Sequence, residues 1–207
     1  MREILLSLLI AVISYLLGCF STGITISRLQ GVDIRTKGSK NTGTSNVLRV
    51  LGLKSGLITF LGDFLKAALA CLAGRLLLPG TTFGVVNFGM MLGGLFAVIG
   101  HNWPVFYGFM GGKGVACSVA VVFLVSPLPG IIAIVIGVSV ILLTRFISLG
   151  SMTLTAVYMI LMCIFNWGDW IVCLFAVLLC VLCVWRHRTN IQRLLNGTEN
   201  KIGQKSK

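Results

Sequence analysis

The stretch PGIIAIVIGVSVILLTRF, residues 129–146, contains a single charged residue, Arg145, close to its end. A transmembrane helix needs about 20 predominantly apolar residues, and this stretch is nearly that long. Over all 207 residues the hydrophobic fraction is 57% and only 11% are charged, with a mean hydropathy of +0.99. Soluble domains carry about 25% charged residues. Lipid is therefore the expected solvent of this chain.

Apolar stretches of similar kind recur along the sequence and predict an all-α, polytopic membrane protein with about seven transmembrane helices. No soluble domain or linker interrupts them, so a single integral membrane domain is expected over residues 1–207. The predicted spans are 4–26, 56–78, 86–103, 115–127, 129–146, 150–166 and 170–185.

The distribution of positive charge predicts the orientation of these spans. Loop 27–55 is basic, and so is the tail from Arg186, which includes Lys205 and Lys207. Lys and Arg accumulate in cytoplasmic loops. Seven spans with the N-terminus outside place both segments, and the C-terminus, in the cytoplasm. The expected location is the cell (plasma) membrane, with a multi-pass chain and the active site on the cytoplasmic face.

Charge and cysteine content exclude several classes of function. Lys and Arg number 17 and Asp and Glu number 5, but the positive charge lies in short loops between apolar spans, which argues against nucleic acid as a partner. The seven cysteines lie in or beside apolar stretches, and Cys180 and Cys183, although spaced as CxxC, are flanked by Leu and Val on an apparent helix. We predict neither a disulfide framework nor a metal site, and no cofactor.

Three polar clusters fall on the predicted inner face. The first, residues 35–46, combines Gly, Ser, Thr and Asn with cations, a composition suited either to binding an anion or to a solvated loop beside anionic lipid. The second, Gly111-Gly112-Lys113-Gly114, opens an apolar helix and predicts a phosphate cradle, although it lacks Walker A spacing. The third, from Arg186, holds His187, Arg188 and Asn190, and is equally typical of a juxtamembrane basic anchor.

Asp63 and Lys66 differ from these clusters because they lie within a predicted span. A spacing of three residues puts them on one helix face, and ionisable groups inside a membrane are usually paired. A structural ion pair is the first interpretation, and contact with substrate is the alternative.

Taken together, these motifs resemble those of the bacterial acyl-phosphate:glycerol-3-phosphate acyltransferases over nearly the whole chain. Three inner-face motifs of the family, and an Asp-x-x-Lys pair, find counterparts in the same order. The matching residues are Ser39, Asn41, Gly43 and Asn46; Asp63 and Lys66; His101, Pro104 and Gly111 to Ala116; and Arg186, His187, Arg188, Asn190 and Glu199.

The sequence departs from the family pattern at a few positions. Lys40 stands where a glycine is usual, and puts a bulky cation beside Ser39. Cys117 replaces a threonine and Thr189 a glutamate. Lys40 is the departure that bears most on substrate affinity or acceptor choice.

The resemblance implies an acyltransferase that moves a fatty acyl group from acyl phosphate to sn-glycerol 3-phosphate and releases lysophosphatidic acid and phosphate, the first acylation of phospholipid synthesis. It implies no cofactor, membrane lipid as surroundings, and a functional link to an enzyme that produces acyl phosphate. Residues expected to be catalytic are Ser39, Lys113, His187 and Asn190. Those expected to bind substrate or phosphate are Arg35, Asn41, Gly43, Asn46, His101, Gly111, Gly112, Gly114, Arg186 and Arg188, and a structural role is expected for Asp63, Lys66 and Glu199.

Two other functions remain open from the residues themselves. A divergent paralogue would acylate another phosphorylated polyol, in keeping with Lys40. A small anion transporter would place its binding groups near the midplane of the membrane, where only Asp63 and Lys66 are expected. All of the site predictions depend on the three polar clusters converging into one pocket at the boundary between lipid and cytosol.

Overall fold

The structure, a computed structural model, describes residues 1–203; residues 204–207, with Lys205 and Lys207 of the predicted basic tail, lie outside the described part. The described chain is mainly helical, as predicted, and forms two compact units, Met1–Val121 and residues 122–203. The elements are α1 Arg2–Cys19, α2 Thr22–Leu29, α3 Thr44–Leu77, β1 Thr81–Thr82, β2 Val85–Val86, α4 Phe88–Asn102, α5 Val115–Val125, α6 Pro127–Thr144, α7 Ile147–Phe165, α8 Trp170–Arg186 and α9 Arg188–Leu195.

The first predicted span, 4–26, is divided by a break. Phe20 takes an extended conformation with ψ of 121°, which ends α1, and the Ser21 hydroxyl accepts a hydrogen bond from the backbone N–H of Ile24 to cap α2. Serine is a favoured N-cap because its oxygen satisfies one of the orphan donors of the first helical turn. The apolar run alone concealed this break, since hydropathy does not register a cap inside a span.

The polar loop predicted over 27–55 is shorter in the structure, because its second half is helical. Helix α3 begins at Thr44 and runs to Leu77, with a local interruption at Gly52, where φ is 85°. Glycine reaches this left-handed conformation without steric cost. The non-helical segment between α2 and α3 is therefore limited to residues 30–43, including a short 3₁₀ turn at Ile34–Thr36.

Within the first unit, α1, α3 and α4 pack directly on one another through small residues. A Cβ atom at Gly74 would overlap the backbone carbonyl of Gly89, and one at Gly89 would overlap the carbonyl of Gly74. Gly18 of α1 makes the same kind of approach to the Ala97 carbonyl of α4. Small residues let helix backbones approach closely in membranes, where the hydrophobic effect does not drive association.

A short hairpin links α3 to α4 at the end opposite the polar loops. Strand β1 pairs with β2 in antiparallel register, Thr82 opposite Val85. Both turn residues have positive φ, 52° at Phe83 and 78° at Gly84, as a tight two-residue hairpin requires.

The second unit, residues 122–203, contains α6, α7, α8 and α9, and its helices also meet at small residues. A Cβ at Gly150 of α7 would overlap the Gly137 carbonyl of α6. After α9 the tail returns to the start of α7: the Ile202 N–H donates to the Arg145 carbonyl at 2.9 Å, and Arg145 Nη2 donates to the Ile202 carbonyl at 2.8 Å.

Four helical stretches in the described chain are long and apolar enough to cross a membrane: Arg2–Leu29, Thr44–Leu77, Pro127–Thr144 and Ile147–Phe165. A fifth is obtained if α8 and α9, which meet at a 60° bend, are counted as one span. Helices α4 and α5 have 15 and 11 residues, shorter than a full crossing. The expected seven spans, their orientation and the single domain stay predictions.

The α3–α4 contact provides a test of the packing. Gly74→Ala forces a Cβ against the backbone of Gly89, and overpacking of this kind typically costs about 1–3 kcal/mol. We expect a clearly lower thermal unfolding midpoint for the purified protein in detergent. Gly84→Ala is the control: its Cβ would meet nothing within 4 Å, so it adds only the strain of a positive φ. Equal midpoints for the two variants would contradict the close packing.

Candidate active site

The first polar loop is held together by one amide, that of Asn46 in the first turn of α3. Its Oδ1 accepts a hydrogen bond from the Ser39 N–H at 2.8 Å. Its Nδ2 donates to the carbonyls of Lys37 at 3.1 Å and Asn41 at 2.9 Å, and more weakly to that of Ile34. The side chain is buried, with 1% exposed. The observed contacts of Asn46 therefore shape the loop, whereas the predicted contact with phosphate stays a prediction.

Arg35, predicted to bind phosphate, is oriented by Asp33, a residue that the sequence analysis did not identify. The Asp33 carboxylate accepts from the Arg35 backbone N–H and Nε, both at 3.0 Å, and from Nη2 at 2.8 Å. These hydrogen bonds lower the pKa of Asp33 to about 2 and raise the pKa of Arg35. The two-residue spacing of an acid and an arginine was the available signal for this pair.

The other predicted residues of the first loop lie between Arg35 and Asn46 in the sequence. Ser39 is partly exposed, and the Asn41 side chain accepts from the Gly43 N–H at 2.9 Å. Lys40 is exposed and has a φ of 59°. A left-handed backbone costs a residue with a side chain roughly 1–2 kcal/mol. Glycine at this position would avoid that cost.

The second polar loop, residues 103–114, connects α4 to α5 and is packed against the end of α4. The Gly112 N–H donates to the His101 carbonyl at 3.0 Å. A Cβ at Gly111 would overlap that carbonyl, and one at Gly112 would overlap Nε2 of the His101 ring. Both glycines are buried and required by this contact. Their presence alone is therefore weak evidence for a phosphate cradle.

Lys113 and Gly114 lie at the start of α5, and their predicted role in binding phosphate stays a prediction. Gly114 has a φ of 75°, and its carbonyl accepts the first helical hydrogen bond of α5 from Ser118 at 2.7 Å. Lys113 is partly exposed and directly precedes this helix start. The N-terminus of a helix directs N–H groups and a partial positive charge at a ligand.

Asn102 is a further residue that the sequence analysis missed. It is fully buried beside Gly114, and within residues 1–203 neither polar atom of its side chain has a hydrogen-bond partner. A buried amide without partners costs free energy, so such a group calls for an explanation.

The two polar loops of this unit are adjacent. Tyr107 of the second loop packs against a core cluster of Ile24, Ile34 and Val47, which lies under the first loop. The Tyr107 side chain also lies near Arg35. The first two predicted clusters are thus brought together.

Asp63 and Lys66 form the ion pair that their spacing indicates, with 2.9 Å between Asp63 Oδ1 and Lys66 Nζ. Lys66 Nζ also donates to the Phe20 carbonyl at 2.5 Å and lies 3.0 Å from His101 Nδ1. All three side chains are buried. The buried network therefore connects Phe20, at the α1–α2 break, to His101, against which the glycines of the second loop pack. The spacing of residues along one helix could not show this connection.

The third predicted cluster belongs to the second unit, where Glu199 is its centre. Glu199 accepts hydrogen bonds from Asn190 Nδ2 at 2.7 Å, Ser148 Oγ at 2.8 Å and Arg193 Nε at 2.9 Å. Burial opposes ionisation of this carboxyl, but the three donors outweigh it and lower the pKa of Glu199. Glu199 ties the tail to α7 and α9, and fixes Asn190 with its amide nitrogen toward the carboxylate.

His187, Arg186 and Arg188 surround the bend between α8 and α9. His187 is buried, and its Nδ1 lies 2.8 Å from the Cys183 carbonyl. The Arg188 guanidinium stacks over the Trp185 ring at 5.5 Å. The expectation that all three clusters share one pocket stays a prediction.

Comparison with known proteins places these features in a class of integral membrane acyltransferases. In a crystal structure titled as PlsY (YgiH), an integral membrane glycerol 3-phosphate acyltransferase in its glycerol 3-phosphate form, the fold matches with a TM-score of 0.86 and 37% identity over 95% of this chain and 96% of that one. The lysophosphatidic acid form of the same enzyme matches with a TM-score of 0.83.

The family itself is identified by sequence. The family model described as glycerol-3-phosphate acyltransferase matches residues 8–197. The glycerol-3-phosphate acyltransferase of Thermoanaerobacter sp. (strain X514) is 46% identical, covering 97% of this chain and 98% of the relative, and that of Clostridioides difficile (strain 630) is 43% identical, covering 98% of each. The chain belongs to the glycerol-3-phosphate acyltransferase family.

The Glu199 contacts predict a pH dependence. Because the folded pKa lies below the ordinary value of 4.5, the stabilisation is complete above that value and is lost as the pH falls through the folded pKa. Glu199→Gln should cost about 2 kcal/mol at neutral pH, the usual scale for hydrogen bonds to a charged group. For a chain of this length that is a midpoint lower by roughly 4–8 °C.

The measurement is the unfolding midpoint of the wild type and of Glu199→Gln across the acid range. The difference between them should shrink below about pH 4.5. A difference that is absent at neutral pH, or that stays constant in acid, would contradict an ionised Glu199 in the folded state.

Proposed function

We propose that this protein transfers a fatty acyl group from acyl phosphate to sn-glycerol 3-phosphate, giving lysophosphatidic acid and inorganic phosphate. The observation that carries the proposal is Lys113 in a buried glycine loop at the start of α5, next to the Asp33-oriented Arg35 loop. Both substrates and both products contain phosphate. A loop pair that combines cations with backbone amides suits such ligands.

We infer individual roles that the geometry of the first unit supports. Lys113 and the Gly111–Gly114 amides bind one substrate phosphate at the α5 N-terminus. Arg35 and Ser39 bind phosphate from the first loop, whose shape Asn46 maintains. Asn102 supports the same assignment, because a ligand held beside Gly114 would give its unpartnered amide a hydrogen-bond partner.

The reaction needs no covalent enzyme intermediate, because acyl phosphate is already an activated mixed anhydride. The glycerol hydroxyl oxygen attacks the acyl carbonyl carbon and forms the ester bond. The bond from that carbon to the phosphate oxygen breaks, phosphate leaves with the electron pair, and the hydroxyl proton passes to a base. The contribution of the protein is positioning and neutralisation of charge.

Asn190 and His187, from the second unit, position the acceptor or the carbonyl in this proposal. The Asn190 amide nitrogen donates a hydrogen bond to Glu199. The amide oxygen can only accept hydrogen bonds, so its role differs from that of the nitrogen. Arg186 and Arg188 add positive charge for an anionic substrate.

We also infer that the chain crosses the plasma membrane seven times, with the N-terminus outside and the active site on the cytoplasmic face. The support is the basic character of the loop between α2 and α3 and of the tail, together with the apolar character of the helices. The shorter helices α4 and α5 would then also be spans, with other parts of the protein filling the membrane depth that these helices do not reach. The acyl donor is expected from an enzyme that makes acyl phosphate.

Lys113→Ala tests the phosphate assignment. Removing one positioned charge donor costs roughly a hundredfold or more in turnover, measured with purified protein, palmitoyl phosphate and labelled glycerol 3-phosphate. Lys54→Ala removes an equal charge from an exposed position on α3 and is the matched control. Near-normal turnover of Lys113→Ala, or an equal loss in Lys54→Ala, would reject the assignment.

Lys40 favours one alternative, a paralogue that acylates another phosphorylated polyol. If glycerol 3-phosphate is the acceptor, Lys40→Gly should keep that preference and raise the unfolding midpoint slightly, because glycine relieves the strain at a φ of 59°. A panel of phosphorylated acceptors measures this. A wild type that prefers another acceptor, with glycerol 3-phosphate favoured only in Lys40→Gly, would establish the paralogue instead.

A further inference from the structure

The triplet Asp33-Ile34-Arg35 lies in the first polar loop and is fixed in place by its middle residue. Ile34 is fully buried and belongs to the core cluster under this loop. The Asp33 carbonyl accepts hydrogen bonds from the backbone N–H of Thr36 at 3.1 Å and from the Thr36 hydroxyl at 2.9 Å. The charged side chains on either side of Ile34 therefore extend from a well-held backbone.

The Asp33 carboxylate occupies one edge of the Arg35 guanidinium. Its Oδ1 accepts from Nε at 3.0 Å and its Oδ2 accepts from Nη2 at 2.8 Å, so two parallel hydrogen bonds join the two groups. Paired hydrogen bonds of this kind fix the plane of a guanidinium as well as its position. Arg35 is therefore oriented without the help of a ligand.

The opposite edge of the guanidinium keeps its donors. A guanidinium has five N–H groups, and Asp33 accepts from one on Nε and one on Nη2. Within residues 1–203 no acceptor contacts the remaining donors on Nη1 and Nη2. The Arg35 side chain is 30% exposed, and the Tyr107 side chain of the second loop lies near it. A ligand between the two polar loops can therefore reach this edge.

We propose that Asp33 is a positioning residue for acyl transfer: it holds one edge of Arg35 so that the other edge, formed by Nη1 and Nη2, binds two oxygens of a substrate phosphate. Paired guanidinium N–H groups match the geometry of phosphate oxygens. The inference rests on the proposed function, because it takes Arg35 as a phosphate ligand. It adds a residue that touches no substrate itself and acts on binding, not on the reacting carbonyl.

A carboxylate beside an anion site also has an opposing effect. Its negative charge repels the phosphate, whereas its hold on Arg35 removes the cost of ordering the guanidinium when the substrate binds. Water screens the repulsion, since 39% of the Asp33 side chain is exposed, but leaves the fixed geometry unchanged. We therefore expect the positioning effect to exceed the repulsion, and the two effects change KM in opposite directions.

Asp33→Asn tests the proposal. Asn keeps the cap on the Arg35 backbone N–H, since Asn and Asp are equally good N-caps, but its single acceptor oxygen cannot make the paired contact. We expect KM for one of the two substrates to rise roughly fivefold, the upper range for a part-exposed ion pair, with kcat and the unfolding midpoint unchanged. Purified protein is assayed with palmitoyl phosphate and glycerol 3-phosphate varied in turn. An unchanged or lower KM, an equal rise for both substrates, or a fall in kcat would overturn the proposal.

Arg35→Gln shows whether Asp33 acts through the guanidinium. Added to Arg35→Gln, Asp33→Asn should change KM by less than about twofold, because the group that Asp33 positions is already gone. The same change in KM with and without Arg35 would overturn the proposal.

Asp169→Asn is the matched control. Asp169 also caps a helix, accepting from the Val172 N–H at 3.2 Å, but no arginine is paired with it in the described part of the chain. Both KM values should stay at the wild-type level. A rise equal to that in Asp33→Asn would overturn the proposal, because loss of a capping charge alone would then account for the effect.

Failure of this proposal and failure of the proposed function give different results, because phosphate binding is measurable without acyl transfer. The probe is inorganic phosphate, titrated calorimetrically into the wild type, Asp33→Asn and Arg35→Gln. Weaker binding in both variants of a chain without acyl transfer would reject the function and keep the positioning role. Normal acyl transfer, with phosphate bound equally by the wild type and Asp33→Asn, would do the reverse.

Discussion

A single buried ammonium group holds the polar part of the first unit in place. Lys66 lies inside the apolar helix packing, where translocon-based scales put the cost of a lysine at about 2.5–3.5 kcal/mol. Three groups from three segments surround its Nζ: the carbonyl at the α1–α2 break, the carboxylate of Asp63 and the ring of His101. Removing any one leaves a buried charge partly unsatisfied. The break in the first span and the end of α4 are fixed by this requirement.

The second polar loop begins beside this network, and both polar loops use polar side chains to shape the backbone. In the first loop the Asn46 amide binds three carbonyls and one N–H. In the second loop the glycines rest on the His101 ring and its carbonyl. Several residues that the sequence predicts to bind phosphate therefore also hold the loop backbone in shape. The proposed phosphate ligands are the cations Arg35 and Lys113 and the amides at the helix start.

Sequence patterns predicted the mainly helical membrane architecture, the Asp63–Lys66 pair and the two loops of the first unit, because each is a property of local composition or spacing. The break at Phe20 was missed, since a cap inside an apolar run has no hydropathy signal. Asp33 was missed although its spacing from Arg35 is visible in the sequence, whereas Asn102 and the link from Lys66 to His101 were missed for another reason. They depend on contacts between residues far apart in the chain, such as the 35-residue separation of Lys66 and His101. The glycines of the second loop were predicted to bind phosphate, but composition could not separate phosphate binding from packing against His101.

The position of Asp63, one helical turn before Lys66, has a consequence for biosynthesis. Helix α3 is made before α4, so it enters the bilayer while His101 is still absent from the chain. Because its carboxylate is on the same helix face, α3 carries its own counter-charge at that moment and partitions as a locally neutral segment. The 3.0 Å contact of Lys66 Nζ with His101 Nδ1 forms only once α4 is present.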